Sequence, residues 1–165
     1  MFWVNQAQED RHSRIRGFVN ENDVVIALLL ACADFEWTAR RVIIAVSDAA
    51  NVDVRSELEQ PGFGFLPKLW AQHVTPKVGK RMSECVADWT QIFLPRSDPE
   101  HHKTAFGTRN RLIHGNAGGL GLEQGSKLVE TLLSGSKSMA TLSEEHGCPV
   151  YGERIRVVTR KPTTR

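Results

Sequence analysis

Val24-Val25-Ile26-Ala27-Leu28-Leu29-Leu30-Ala31-Cys32-Ala33-Asp34-Phe35-Glu36-Trp37-Thr38-Ala39-Arg40-Arg41-Val42-Ile43-Ile44-Ala45-Val46 is the stretch that decides the fold. Val25, Leu28, Cys32, Phe35, Ala39, Val42 and Val46 recur at alternating spacings of three and four, which draws one continuous apolar stripe down a helix. Leu29, Ile43 and Ile44 widen the stripe. Such a helix needs partners along its whole length, either as the core of a bundle or as part of a dimer interface. Its most apolar run, Val24 to Ala33, is too short to span a bilayer and meets Asp34 and Glu36 at once, so no membrane association is expected. Just upstream, Asn20 or Asn22 can cap the helix, with Glu21 and Asp23 favourable near its positive end.

Working outward, residues 1–19 mix Phe2, Trp3 and Val4 with charged side chains and read as an N-terminal arm or short helix. Residues 47–63 read as a connection ending in the turn chemistry of Pro61-Gly62-Phe63-Gly64, and Phe65 to His73 as a short helix. From Lys80 to Phe93, Met82, Cys85, Val86, Trp89, Ile92 and Phe93 keep helical spacing until Pro95. Ser97-Asp98-Pro99-Glu100 opens a further helix toward His114, with Gly107 weakening its middle and Gly115 as its stop. Leu122 to His146 is the last helix, closed by Gly147, with Gly135 a candidate interruption.

After Pro149, Val150-Tyr151 and Ile155-Arg156-Val157-Val158 are β-prone and basic, predicting a short arm or hairpin over 147–165. The sum is an all-α, up-and-down bundle of four to five helices over residues 20–146, flanked by that β-prone C-terminal arm and the N-terminal segment.

Composition narrows the function classes. Of the 165 residues 41% are apolar and 24% charged, as in ordinary globular proteins. The net charge of +2 conceals an asymmetry: residues 1–60 hold six Lys and Arg against ten Asp and Glu, while residues 61–165 hold fifteen against nine. A basic second half suits an anionic partner such as RNA, although a solvated surface explains it as well. Cys32, Cys85 and Cys148 are odd in number and widely spaced, which argues for a reducing, cytoplasmic setting and against structural zinc. No signal peptide is read at the N-terminus. No cofactor or metal motif is present: the order of Gly125-Ser126-Lys127 excludes a P-loop, and His101 and His102 lack spaced carboxylate or thiol companions. These two histidines, with His12, His73 and His146, are expected on the surface.

The chemistry concentrates at Arg109-Asn110-Arg111-Leu112-Ile113-His114-Gly115. Histidine exchanges protons near neutral pH, and guanidinium groups clamp phosphate. Arg109 can offer two donors to phosphate oxygens, Asn110 lies four residues before His114 on one helical face, and Arg111 ranks below Arg109. Arg109 and His114, five residues apart, differ by about 140° around an ideal helix. As plain structure, His114 is a cap at the negative end of a helix dipole. Glu36 and Arg40, four apart, form either an ordinary ion pair or a brace that fixes their helix beside the groove, with Arg40 or Arg41 adding charge.

The Arg109-Asn110…His114-Gly115 pattern resembles the R-x(4–6)-H motif of the HEPN superfamily, in its RN-x-x-x-HG form. Glu36-Trp37-Thr38-Ala39-Arg40-Arg41 resembles the E-x3-K/R-R motif that some HEPN families carry on an earlier core helix. The two stand in the expected order, and the resemblance covers roughly residues 20 to 146. It implies a helical homodimer whose two motif helices share one composite site and cut RNA without a metal. It further implies 2′,3′-cyclic phosphate ends, and a setting in toxin–antitoxin or antiphage defence with an antitoxin or complex partner. The competing expectation is a non-catalytic module of the same kind that binds nucleic acid or a partner protein; a small DNA-binding regulator is less supported, because no helix-turn-helix signature is found.

Overall fold

In the computed structural model, which describes residues 7–115, 119–151 and 159, the apolar stretch forms one unbroken helix, Val24–Val46. In chain order the helices are α1 (Gln8–Asn20), α2 (Val24–Val46), α3 (Asn51–Glu57), α4 (Leu66–His73), α5 (Thr75–Val78), α6 (Trp89–Ile92), α7 (Ala105–Ile113) and α8 (Leu122–Glu145). Single 3-10 turns lie at Met82–Cys85 and His101–Lys103. Among the described residues there is no strand, and the architecture is an all-α helical bundle. No described helix is long and apolar enough to cross a membrane.

The stripe on α2 is buried from Leu28 to Val46, but Val25 at its start is 37% exposed and Val24 takes its inward place. Asp34 and Thr38, on another side of the helix, are fully buried as well. A helix covered on several sides is the centre of its bundle. Its main partner is α8. A Cβ on Gly125 would collide with Val24, and one on Gly135 would sit 2.7 Å from Phe35 Cε2. Because the contacts advance in the same order along both helices, α2 and α8 run parallel. The ion pair of Arg16 with Glu130 and that of Lys137 with Glu9 show α1 running antiparallel to α8. Gly135 therefore does not interrupt α8: its missing side chain lets two helix backbones approach across the Phe35 ring.

Local polar chemistry redraws several predicted boundaries. Asn22 ends α1 rather than starting α2: it adopts φ 64°, with its N–H on Val19 O at 3.0 Å and the Asp23 N–H on Phe18 O at 2.8 Å. The connection after α2 contains the short helix α3, and α5 follows α4 through Thr75-Pro76. The helix expected over Lys80–Phe93 is broken. Glu84 Oε2 accepts the Arg81 N–H at 2.7 Å, Val86 is extended, and the Asp88 carboxylate accepts from Thr90 N, Thr90 Oγ1 and Gln91 Nε2. Short polar side chains compete here with helical backbone bonds, while Met82, Cys85 and Ile92 stay buried as the spacing required. Likewise Asp98 caps only a turn, through Glu100 N at 2.8 Å, and the helix proper starts at Ala105, where Thr104 Oγ1 accepts from Gly107 N at 3.0 Å. α8 ends as expected at Gly147, and Val150 and Tyr151 pack on the bundle without forming a strand. The remainder of the predicted β-prone arm, residues 155–158, lies outside the described residues, as do residues 1–6 of the N-terminal arm.

Against expectation, His12 is buried. Arg11 and His12 of α1, exposed by 0% and 2%, converge on the fully buried Asp34 of α2: Arg11 Nε donates to Oδ1 and His12 Nε2 to Oδ2, each at 2.9 Å. The Arg11 guanidinium lies 5.0 Å from the Trp37 ring and 4.9 Å from that of Tyr151. The Tyr151 hydroxyl in turn bonds Thr38 Oγ1 at 2.8 Å and Gln8 Nε2 at 2.9 Å. The cluster ties α1, α2 and the segment after α8 together. Burial alone pushes the Asp34 carboxyl up, but the His12 hydrogen bond and the Arg11 charge outweigh it and hold the group below its ordinary value of 3.8.

Two predictions follow from this packing. Gly135→Ala gains up to about 1 kcal/mol of helix propensity but overpacks Phe35 at a cost of about 1–3 kcal/mol, so urea melts should show net loss; Gly17→Ala, with open space around its Cβ, should show net gain. Because Asp34 has a depressed folded pKa, its contribution is complete above about pH 4 and lost as pH falls through the folded value. Urea midpoints should therefore drop in acid more steeply for the wild type than for Asp34→Asn, which itself should cost about 3–5 kcal/mol at neutral pH by removing the buried negative charge on which Arg11 and His12 converge.

Candidate functional site

α7 is fixed from its buried side. Ala105 and Phe106 are inside the core, and the Phe106 ring stacks on Phe63 with centroids 4.0 Å apart and planes 16° from parallel. Phe35 of α2 backs both rings, 5.9 Å from Phe63 and 6.3 Å from Phe106. Beside these stacked rings lies a groove of about 590 Å³, which Phe63 and Phe106 themselves help to line. One wall is the Pro61–Gly64 loop and another is Phe93, Leu94 and Arg96.

Arg109, Asn110, Arg111 and His114 all line this groove. Arg109 and His114, about 140° apart on an ideal helix, both line it, His114 as the C-cap residue of α7. Arg109 Nη1 donates to Asn110 Oδ1 at 3.3 Å. Arg111, ranked lower on helical geometry, also lines the groove, and its Nε is buried with no hydrogen-bond partner among the described residues. His114 and Asn110 are exposed, Arg109 and Arg111 half-buried.

The other predicted residues lie elsewhere. Glu36 and Arg40 do not line the groove; they pair at 2.8 Å across one turn of α2. Arg40 also donates from Nη1 to Leu58 O and lies 5.2 Å over the Phe65 ring. It thereby holds both ends of the loop that carries Pro61–Gly64, which makes it a brace for a groove wall rather than a lining charge. Arg41 faces away, donating to Val150 O at 2.8 Å and lying 4.6 Å over Trp37.

Three groove residues escaped the sequence reading: Arg96, His101 and His102. The two histidines, expected on the surface, sit half-buried on the 3-10 turn that folds back on α7. Thr104 Oγ1 donates to His101 O at 2.7 Å and Thr108 Oγ1 to His102 O at 3.4 Å. A Cβ on Gly107 would overlap His101 O and lie 2.9 Å from His102 Cα, so the glycine read as a weak point of the helix is where the turn docks. That glycine was the one available signal, and it does not say what approaches.

The groove therefore gathers three guanidinium groups and three imidazoles, and no Asp or Glu among the described residues lines it. Such a set attracts an anion and can exchange protons with it. The histidines do not converge as ligands: among the described residues, no group of three His, Cys, Asp or Glu is placed to hold a metal ion. Behind the groove, burial pushes the Cys32 thiol up to about 12, with Arg109 pulling weakly the other way, so it stays protonated. No protein-family model matches this chain, and neither a curated protein nor a solved structure does. What the groove binds is decided by its own chemistry.

Gly107→Ala should displace the His101–His102 turn. Differential scanning should show unfolding several degrees earlier, and the ring resonances of both histidines should move; unchanged resonances would mean that the turn does not depend on this contact.

Proposed function

We propose that this chain is a metal-independent endoribonuclease of the HEPN type, and that RNA is cut in the groove along α7. The observation that carries the reading is the meeting of Arg109, Asn110 and His114, the residues of the R-x4-H resemblance, with further cationic groups in one groove that no described carboxylate lines. RNA supplies both features the groove asks for, a phosphodiester anion and a neighbouring hydroxyl.

In the proposed step the ribose 2′-oxygen attacks the adjacent phosphorus. The new P–O2′ bond forms as the P–O5′ bond breaks, leaving a 2′,3′-cyclic phosphate and a 5′-hydroxyl end. His114 moves a proton, removing it from the 2′-hydroxyl or delivering it to the departing 5′-oxygen. Arg109 bonds the non-bridging oxygens as negative charge builds on them, and Asn110 beside it keeps the guanidinium oriented. The HEPN resemblance further implies a two-fold pairing of motif helices and a place in toxin–antitoxin or antiphage defence. Ile113, 57% exposed next to His114, is an apolar group of the kind a second copy would cover.

Purified protein in chelator should cut mixed RNA to cyclic-phosphate ends. His114→Ala should lose roughly 10²–10⁴ of the rate while retaining RNA affinity, and Arg109→Ala should lose roughly 10²–10³. Absence of cutting by a folded wild type that still binds RNA in the groove would replace this reading by a non-catalytic binding module.

A further inference from the structure

Resting on the ribonuclease reading, a second question arises at the same site: cleavage needs one group to accept the 2′-hydroxyl proton and another to protonate the 5′-oxygen, and His114 is one group. We infer that His101 is the second proton-transfer group, so that a single chain holds both. The pair does not come from the Arg109–His114 motif; it comes from the fold-back of the 3-10 turn onto α7.

Two observations support that role. Its Nδ1 lies 2.8 Å from the carbonyl oxygen of Asp98. A carbonyl only accepts, so Nδ1 carries the hydrogen in the neutral ring and Nε2 is left with a lone pair. His101 lines the groove in which substrate is proposed to lie.

The position is also fixed rather than adjustable. The His101 carbonyl is held by Thr104 Oγ1 at 2.7 Å and packs against Gly107, the first turn of the helix that carries the motif. From Gly107 to His114 is seven residues, roughly 10 Å at 1.5 Å per residue, and Arg109 lies between them. In the proposed arrangement the imidazoles at those two ends lie on either side of the phosphate that Arg109 would hold, one for each proton transfer.

The charged surroundings are defined. Arg96, Arg109 and Arg111 share the groove, and the His102 ring stands edge-on to His101 at 5.9 Å. The carboxylates of the same turn are engaged outside it, Glu100 with Lys103 at 2.6 Å and Asp98 with the Glu100 N–H at 2.8 Å. His101 thus faces cations and a neighbouring imidazole, and its hydrogen-bond partner is a neutral carbonyl.

His101→Asn separates proton transfer from positioning, because the asparagine amide can still donate to Asp98 O but cannot titrate. Single-turnover cleavage of a defined RNA in chelator, from roughly pH 5 to 9, should give a bell for the wild type. His101→Asn should melt like the wild type, lose roughly 10²-fold or more in rate and lose one limb of the bell. Wild-type rate and both limbs in His101→Asn, or loss in His101→Ala that Asn restores, would overturn the inference while leaving the ribonuclease reading intact. A wild type that does not cut RNA fails the ribonuclease reading itself, and the inference with it. Independently of folding in the variants, nitrogen-15 spectra of the wild type should show His101 protonated at Nδ1; a neutral ring protonated at Nε2 would overturn the assignment.

Discussion

The Phe35 ring is the contact on which the rest depends. It meets Gly135 of α8 on one side, and Phe63 and Phe106 on the other. One residue thus joins the two long parallel helices to the loop that walls the groove and to the helix that carries its cations. Close-packed rings do not yield independently. The rotation of α7 about its axis is therefore set by the core, which takes Ala105, Phe106 and Thr108 and leaves Asn110 and His114 exposed. The groove's chemistry is presented by a rigid scaffold, as a binding site requires.

What the sequence made legible was whatever depends on period and on turn chemistry. The α2 stripe from Leu28 onward, the apolar positions of α8 and the stop at Gly115 follow from spacing and glycine alone, and the structure has them. The same periodicity found the buried Met82, Cys85 and Ile92 but not their true elements, because Glu84 and Asp88 bond the nearby backbone and break the helix that the spacing drew. Tertiary contacts were less legible still. Gly107 and Gly135 read as weak points, since a sequence shows the missing side chain but not the neighbour that fills its place. His12 read as surface because its partner, Asp34, lies twenty-two residues away on another helix.

The candidate site divides along the same line. Arg109, Asn110, Arg111 and His114 are close in sequence, and their common placement in the groove needs only one short helix. Arg96, His101 and His102 reach it through a turn that the sequence did not show folding back. Glu36 and Arg40 keep the ion pair that their spacing of four allows, and the structure gives Arg40 a task in holding the Leu58–Phe65 loop. The buried cluster uses Arg11 and His12 of α1 and Asp34 of α2 to hold the bundle together. The groove on α7 is where imidazoles and guanidiniums meet open space.

The central claim is that RNA lies along α7 with its phosphate between His101 and His114. The most direct test is a nitrogen-15 and carbon-13 titration of the folded protein with an oligoribonucleotide carrying 2′-O-methyl groups, which can bind but not be cut. The account predicts that the largest shifts fall on Arg109, Asn110 and the rings of His101 and His114, and that added salt reverses them as expected for phosphate contacts. Shifts confined to another face of the bundle, with these four unmoved at saturation, would contradict it.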